Sequence, residues 1–128
     1  LGRAHEWCQS NVRRLMSRGV PTVVQSNTNL NVDHIIPYLD MAIEFGYQVR
    51  FVLPKNDLLF YETKRPMSRR EQVKLISSVR GSLKSGDKIV PGWVIGRMVD
   101  GFDKVRPVIE GVGEETDPKK VKSYLRSL

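Results

Sequence analysis

Apolar residues recur every three or four positions in five stretches of this 128-residue chain, a spacing that places them on one face of an α-helix. It predicts a first helix over residues 2–18, a second that ends before Gly46, a third that begins at Ser68, a fourth from Pro91 and a short last one from Pro118. The residues expected to face the core from these helices are Ala4, Cys8, Val12, Leu15, Ile35, Ile36, Leu39, Ala42, Ile43, Val73, Ile76, Val79, Leu83, Ile95, Met98, Val99, Phe102, Val121 and Leu125.

Polar residues at the helix ends agree with this division. Asn31 or Asp33 is suited to cap the second helix, and Asp117 the last one, because their side chains accept hydrogen bonds from free backbone N–H groups. Ser68 is followed three positions later by a glutamate, as in a capping box. Gly19 is suited to end the first helix, since glycine adopts the left-handed conformation without strain.

Three shorter stretches favour β-strands. Residues 22–25 form one β-branched run, and residues 47–53 form a second that Pro54 closes. Residues 105–112 form a third, in which Pro107 indicates an edge or an irregular strand. Two strands joined through a helix make a right-handed crossover. The pattern therefore predicts an α/β fold with a thin, incomplete parallel sheet.

The composition is typical of a globular domain, with 40% hydrophobic and 27% charged residues. No apolar run approaches the roughly 20 residues that a membrane-spanning helix needs, so no membrane partner is expected. The single cysteine, Cys8, excludes an internal disulfide and a cysteine-rich metal site. It also fits an intracellular, cytoplasmic location, where thiols stay reduced.

The net charge of +7 is concentrated in the middle of the chain. Residues 55–90 hold nine lysines and arginines but only four acidic residues. Such a patch favours phosphate-bearing partners such as RNA or DNA, although a solvated helix face has the same composition. The candidate phosphate- or nucleic-acid-binding residues are Lys64, Arg65, Arg69, Arg70, Lys84 and Lys88.

Four short elements follow one another between residues 4 and 54. They are Ala4-His5, Asn27-Thr28-Asn29, Pro37-Tyr38 and Gly46-Tyr47-Gln48-Val49 running to Pro54. In order and spacing they resemble the second half of the polynucleotide-kinase-like P-loop phosphotransferases, an AAA-type kinase-like group. The resemblance continues more weakly through residues 90–98 and does not extend beyond about residue 104.

The resemblance implies a kinase-like domain over residues 1–104 that lacks its N-terminal phosphate-loop portion. Its α/β fold would be an incomplete three-layer parallel sheet with a helical lid region. A strand and helix extension would follow over residues 105–128. The resemblance also implies an acceptor-side cleft, although the same polar residues could instead satisfy the amides of a turn and a helix start. The cleft residues would be Ser26, Asn27, Thr28 and Asn29.

The groups that make such kinases catalytic are not in this sequence. It contains no Gly-Lys-Ser/Thr loop, whose backbone amides, lysine and hydroxyl would hold ATP and Mg²⁺. Ser26 stands where the family has an aspartate, and Lys84 and Lys88 stand where its lid presents arginines. No catalytic residue or metal ligand is therefore assigned. ATP and Mg²⁺ are expected only if a phosphate-loop segment is supplied from elsewhere.

The remaining candidates have structural interpretations. His5 and His34 have no acidic or cysteine partner at ligand spacing and are expected to pack, as is Cys8. Trp7 and Trp93 are candidate stacking platforms, with half-buried helix residues as the alternative. Phe60 and Tyr61, among basic residues, have the same two interpretations.

Three functions stay open. The favoured one is a partial or degenerate polynucleotide- or nucleotide-kinase-like domain that is not catalytic alone and binds nucleic acid or phosphate through its basic patch. The second is the C-terminal half of an active ATP-dependent polynucleotide kinase whose phosphate loop lies on a missing or cleaved segment. The third is a structural or interaction module in a larger assembly. The expected partners are the N-terminal part of the same domain or a larger assembly, together with RNA or DNA.

Overall fold

The computed structural model describes residues 2–27, 29, 31–53, 68–82 and 92–128. These residues contain five α-helices, which confirms the five predicted from apolar spacing. In chain order they are α1 (Gly2–Ser17), α2 (Val32–Phe45), α3 (Arg69–Ser82), α4 (Gly92–Val112) and α5 (Pro118–Arg126).

The helix ends follow the predicted chemistry. The side chains of Asn31, Ser68 and Asp117 each accept a hydrogen bond from a backbone N–H of the following helical turn, at 3.1, 3.2 and 2.9 Å. These bonds satisfy donors that have no acceptor within the helix. Gly19 and Gly46 end α1 and α2 with φ angles of 70° and 76°. An L side chain would strain the backbone at either position.

The main core lies where α2, α4 and α5 meet. Its buried residues are Ile35, Ile36, Leu39, Val105, Ile109, Val121 and Leu125. The side chain of Leu39 is only 2% exposed. Partly buried residues of an extended segment, Val49, Phe51 and Leu53, pack against the same cluster. This segment therefore covers the helical core on one side.

Two helices lie outside this core. Helix α1 packs on α2, and α3 packs on α4. Val12 of α1 and Ile95 and Val99 of α4 are buried, as predicted. Ala4 is exposed, so its assignment to the core was wrong. Each outer helix thus has one principal neighbour.

The predicted parallel sheet is wrong, and with it the P-loop kinase-like α/β fold class. The described residues contain no strand. Residues 22–25 and 47–53 are extended but irregular, and Val24 and Val52 are 80% and 78% exposed. A central parallel strand is covered on both faces. The backbone N–H of Val49 instead donates to the carbonyl of Thr116, at 2.9 Å.

The predicted strand over residues 105–112 is also wrong, because these residues form the second half of α4. Pro107 lies inside the helix and removes the N–H that would bond to the carbonyl of Asp103. Both residues are exposed, so water can satisfy that carbonyl. The boundary predicted after residue 104 falls within this helix, while the division into domains stays a prediction.

Candidate nucleic-acid interface

A shallow cavity of about 570 Å³ lies where α3 and α4 meet. Three arginines and a tryptophan line it together with one valine. These residues, Arg69, Arg70, Val73, Trp93 and Arg97, form what we call the arginine–tryptophan cavity. The Trp93 side chain is 66% exposed, so a planar ligand can reach its ring. Cationic side chains beside an accessible aromatic ring are the usual lining of sites that hold single-stranded nucleic acid.

Two of the arginines begin a helix. Ser68 caps α3, which places Arg69 and Arg70 at its first two positions. Glu71, the acidic residue of this turn, suits the partial positive charge of the helix N-terminus. Arg69 and Arg70 have the opposite sign, so their interaction with the helix end is unfavourable. A bound anion would reverse that unfavourable interaction, because it would face both the arginines and the free N–H groups.

Arg69 forms a two-pronged ion pair with Asp100 of α4. Its Nε donates to Oδ1 at 2.6 Å and its Nη2 donates to Oδ2 at 3.1 Å. These hydrogen bonds lower the pKa of the Asp100 carboxyl and raise the pKa of the Arg69 guanidinium. The pair joins α3 to α4 across the surface beside the cavity. Because both side chains are about half exposed, its effect on stability is modest.

Arg70 and Arg97 are placed differently. Within the described residues neither has a carboxylate partner, and both are exposed. Their charges are therefore available to a ligand, whereas the charge of Arg69 is largely balanced by Asp100. The cavity consequently keeps a net positive charge in the part of the chain that the structure describes.

The structure brings together only part of the predicted patch. Arg69 and Arg70 line the cavity. The other four candidates, Lys64, Arg65, Lys84 and Lys88, lie outside the described residues, and their role stays a prediction. Trp93 is predicted from the sequence as a candidate stacking platform, with a half-buried helix residue as the alternative, and Arg97 is not among the predicted residues. Their spacing of four residues on one helix is the signal that could have pointed to them.

Within the described residues, the predicted acceptor-side cleft contributes no side chain to the lining of the arginine–tryptophan cavity. Ser26 and Asn27 are exposed, and Thr28 lies outside the described residues. Asn29 and Gln25 exchange two side-chain hydrogen bonds, at 3.0 and 2.9 Å. This exchange joins the two side chains to each other, whereas the turn interpretation expects side chains that satisfy backbone amides. The binding role of residues 26–29 stays a prediction.

A small polar cluster lies next to this loop. The rings of His5 and His34 lie 5.0 Å apart, which the sequence spacing did not predict. Within the described residues, His34 Nδ1 and the Tyr38 hydroxyl are buried without a hydrogen bond of good geometry. Burial is the main cause that raises the pKa of Tyr38 to about 12. The nearby thiol of Cys8 contributes to this rise, and hydrogen bonds from Gln25 and Asn27 oppose it.

The stability contributed by Tyr38 is expected to fall at high pH. In the unfolded chain a tyrosine ionises near pH 10, whereas folded Tyr38 ionises near 12. Above pH 10 the unfolded state loses its proton first, so stability decreases as the pH rises from 10 to 12. Tyr38→Phe should equal or exceed the parent in urea midpoint at pH 8, and its advantage should grow by pH 11.

Tyr47→Phe is the matched control for this measurement. The Tyr47 hydroxyl donates to the backbone carbonyl of Val20 at 2.6 Å. Its loss should cost about 1 kcal/mol at pH 8, opposite in sign to Tyr38→Phe. An advantage of Tyr38→Phe that stays constant from pH 8 to 11 contradicts the raised pKa.

Two further observations concern ligands and membranes. The described residues contain no group of three or more His, Cys, Asp or Glu side chains placed to hold a metal ion. None of the described helices is long and apolar enough to cross a membrane.

In comparisons with known proteins, no protein-family model and no solved structure matches this chain.

Proposed function

We propose that this chain is a non-catalytic module that binds single-stranded RNA or DNA through the arginine–tryptophan cavity. The observation that carries the proposal is the meeting of Arg69, Arg70 and Arg97 around an exposed Trp93. A base stacks on the indole ring while Arg70 and Arg97 contact the neighbouring phosphates. Stacking on an aromatic side chain contributes roughly 1–3 kcal/mol per base and tolerates any sequence.

The charge distribution supports a polyanionic ligand. The α3 dipole disfavours positive charge at its N-terminus, where Arg69 and Arg70 lie. Side chains that oppose the local preference of a helix end are expected at functional sites. Residues 55–90, which carry most of the positive excess, include the start of α3. The same strand could therefore be contacted by Lys64, Arg65, Lys84 and Lys88. That extension rests on the sequence alone.

The kinase-like fold is not carried into this proposal, because the described residues lack the sheet that it requires. The resemblance of residues 4–54 to polynucleotide-kinase-like proteins stays a prediction, as do the cytoplasmic location and a larger assembly as partner. A structural module without a ligand is the competing function. It differs from the proposal in one measurable property, which is affinity for a single strand.

The test is binding of a fluorescein-labelled 12-nucleotide RNA of mixed sequence, followed by anisotropy at several salt concentrations. Arg70→Ala/Arg97→Ala should weaken binding about tenfold at moderate salt. For single strands the slope of log K against log salt is about −0.7 per neutralised phosphate, so losing two contacts should make it shallower by about 1.4. For a control of equal charge, the single variants Arg70→Ala and Arg97→Ala are each compared with Arg126→Ala, which removes an exposed helical arginine that does not line the cavity.

Two results would contradict the proposal. One is parent protein that binds no RNA or DNA single strand at low salt. The other is an equal loss of affinity in Arg126→Ala and in each cavity variant, which would assign binding to net charge rather than to this surface.

A further inference from the structure

Arg69 differs from the other two arginines in being held by a carboxylate. Nε and one hydrogen of Nη2 are bonded to Asp100, so one edge of the guanidinium is occupied. The opposite edge keeps the N–H groups of Nη1 and the second hydrogen of Nη2. The Arg69 side chain is still 56% exposed. This free edge can donate two parallel hydrogen bonds to a ligand.

A glycine on α4 permits this placement. A Cβ at Gly96 would lie 2.5 Å from Nη2 and 3.1 Å from Cζ of Arg69, closer than real contacts allow. The guanidinium therefore rests directly against the helix at a position where any side chain would displace it. Asp100 and Gly96 together fix its orientation before a ligand arrives.

The chemistry around this edge favours a neutral base over a phosphate. Asp100 balances the charge of Arg69 and repels an anion brought beside it, whereas it does not repel an uncharged base. Guanine offers two adjacent acceptors, O6 and N7, that match an arginine edge. Cytosine offers O2 and N3 on its pairing edge but has a smaller ring to stack. Adenine and uracil place a donor beside or between their acceptors.

Building on the proposed function, we infer that the arginine–tryptophan cavity selects guanine, which Arg69 recognises through O6 and N7 while Trp93 provides the stacking surface. Arg70 and Arg97 contact phosphates and carry no sequence information. Arg69 is then a specificity-determining residue, and Asp100 and Gly96 are positioning residues that act through it.

The test uses the full chain and RNA heptamers of adenosine with a single central G, A, C or U, compared by competition anisotropy. The G heptamer should bind about tenfold more tightly than the A or U heptamer, with C between, because one bidentate pair discriminates by that order. A heptamer with 7-deazaguanine, which lacks the N7 acceptor, should lose most of this advantage.

Variants separate recognition from general binding. Arg69→Lys keeps the charge but loses the fork, so it should bind all four heptamers alike, whereas Arg126→Lys should keep the preference. Asp100→Asn should lose the preference because the G heptamer loses its advantage, while the A and U heptamers should bind at least as tightly as they bind the parent, since a negative charge is removed. Gly96→Ala should lose the preference without a lower melting temperature, because alanine favours a helix interior.

The outcomes distinguish the two proposals. Equal affinity of the parent for all four heptamers overturns the guanine preference and leaves the proposed function standing. Absence of binding to every heptamer at low salt overturns both. A preference that survives Arg69→Lys and Asp100→Asn overturns the assignment to Arg69.

Discussion

Replacing Leu39 by alanine is expected to lower the free energy of unfolding by about 3 kcal/mol, the middle of the range for a buried leucine. The Leu39 side chain is 2% exposed and belongs to the cluster in which α2, α4 and α5 meet. Its removal leaves a cavity at a point that three elements share, and none of them can close it alone. Urea unfolding measured by circular dichroism gives the change, and the melting temperature should fall by about 10 °C.

Val52→Ala is the control for this change. Val52 lies on the extended segment that covers the core, but its side chain is 78% exposed. Its substitution should change stability by no more than about 0.5 kcal/mol. Equal effects of Leu39→Ala and Val52→Ala would show that α2 does not face the core in the way described.

Replacing Trp93 by alanine is expected to weaken RNA binding by about 30-fold, which corresponds to about 2 kcal/mol for the loss of one stacked base. The ring is 66% exposed, so its removal creates little cavity and should leave the fold intact. The salt dependence of binding should stay the same, because Trp93 contacts no phosphate in the proposal. Anisotropy at two salt concentrations measures both quantities.

Trp7→Ala is the matched control, since Trp7 is also exposed, at 70%, but lies on α1 away from the cavity. Its RNA affinity should remain within about twofold of the parent. A Phe variant at position 93 should recover most of the affinity, because a smaller aromatic ring still stacks. A loss in Trp93→Ala no greater than in Trp7→Ala would contradict a stacking role.

The helices could be predicted because local signals agree with their packing. The apolar face of α2 and its Asn31 cap both appear in the structure as the sequence indicates. Residues 105–112 were misassigned although Val105, Val108, Ile109 and Val112 follow helical spacing. Pro107 is compatible with an edge or irregular strand, and it is also tolerated inside α4, where both it and Asp103 are exposed. The proline therefore does not distinguish the two structures.

Residues 47–53 show what an alternation of half-buried and exposed residues can and cannot establish about a β-sheet. Along residues 47–53 each inward residue is half-buried and each outward one is exposed, as in a half-covered strand. The alternation agrees with one covered face. The alternation does not identify the element that covers this face, which here is a group of helices and not a second layer packed on a sheet. Hydrogen bonding to a neighbouring strand leaves no trace in a period-two pattern.

The candidate site was only partly predictable for a similar reason. The charge of residues 55–90 is visible in the sequence and indicates a polyanionic partner. The meeting of Arg69 with Asp100, 31 residues later, depends on how α3 packs on α4. Local patterns therefore identify the basic helix but not the tryptophan and the carboxylate that give its arginines their separate roles.

The attachment of α3 to one main neighbour has a consequence for motion. Helix α3 packs on α4, whereas the buried cluster that sets global stability is formed by α2, α4 and α5. Separating α3 from α4 therefore need not break that cluster, so this helix can open at a lower free energy than the whole domain. A single-stranded nucleic acid that contacts both α3 and α4 would therefore oppose this local opening.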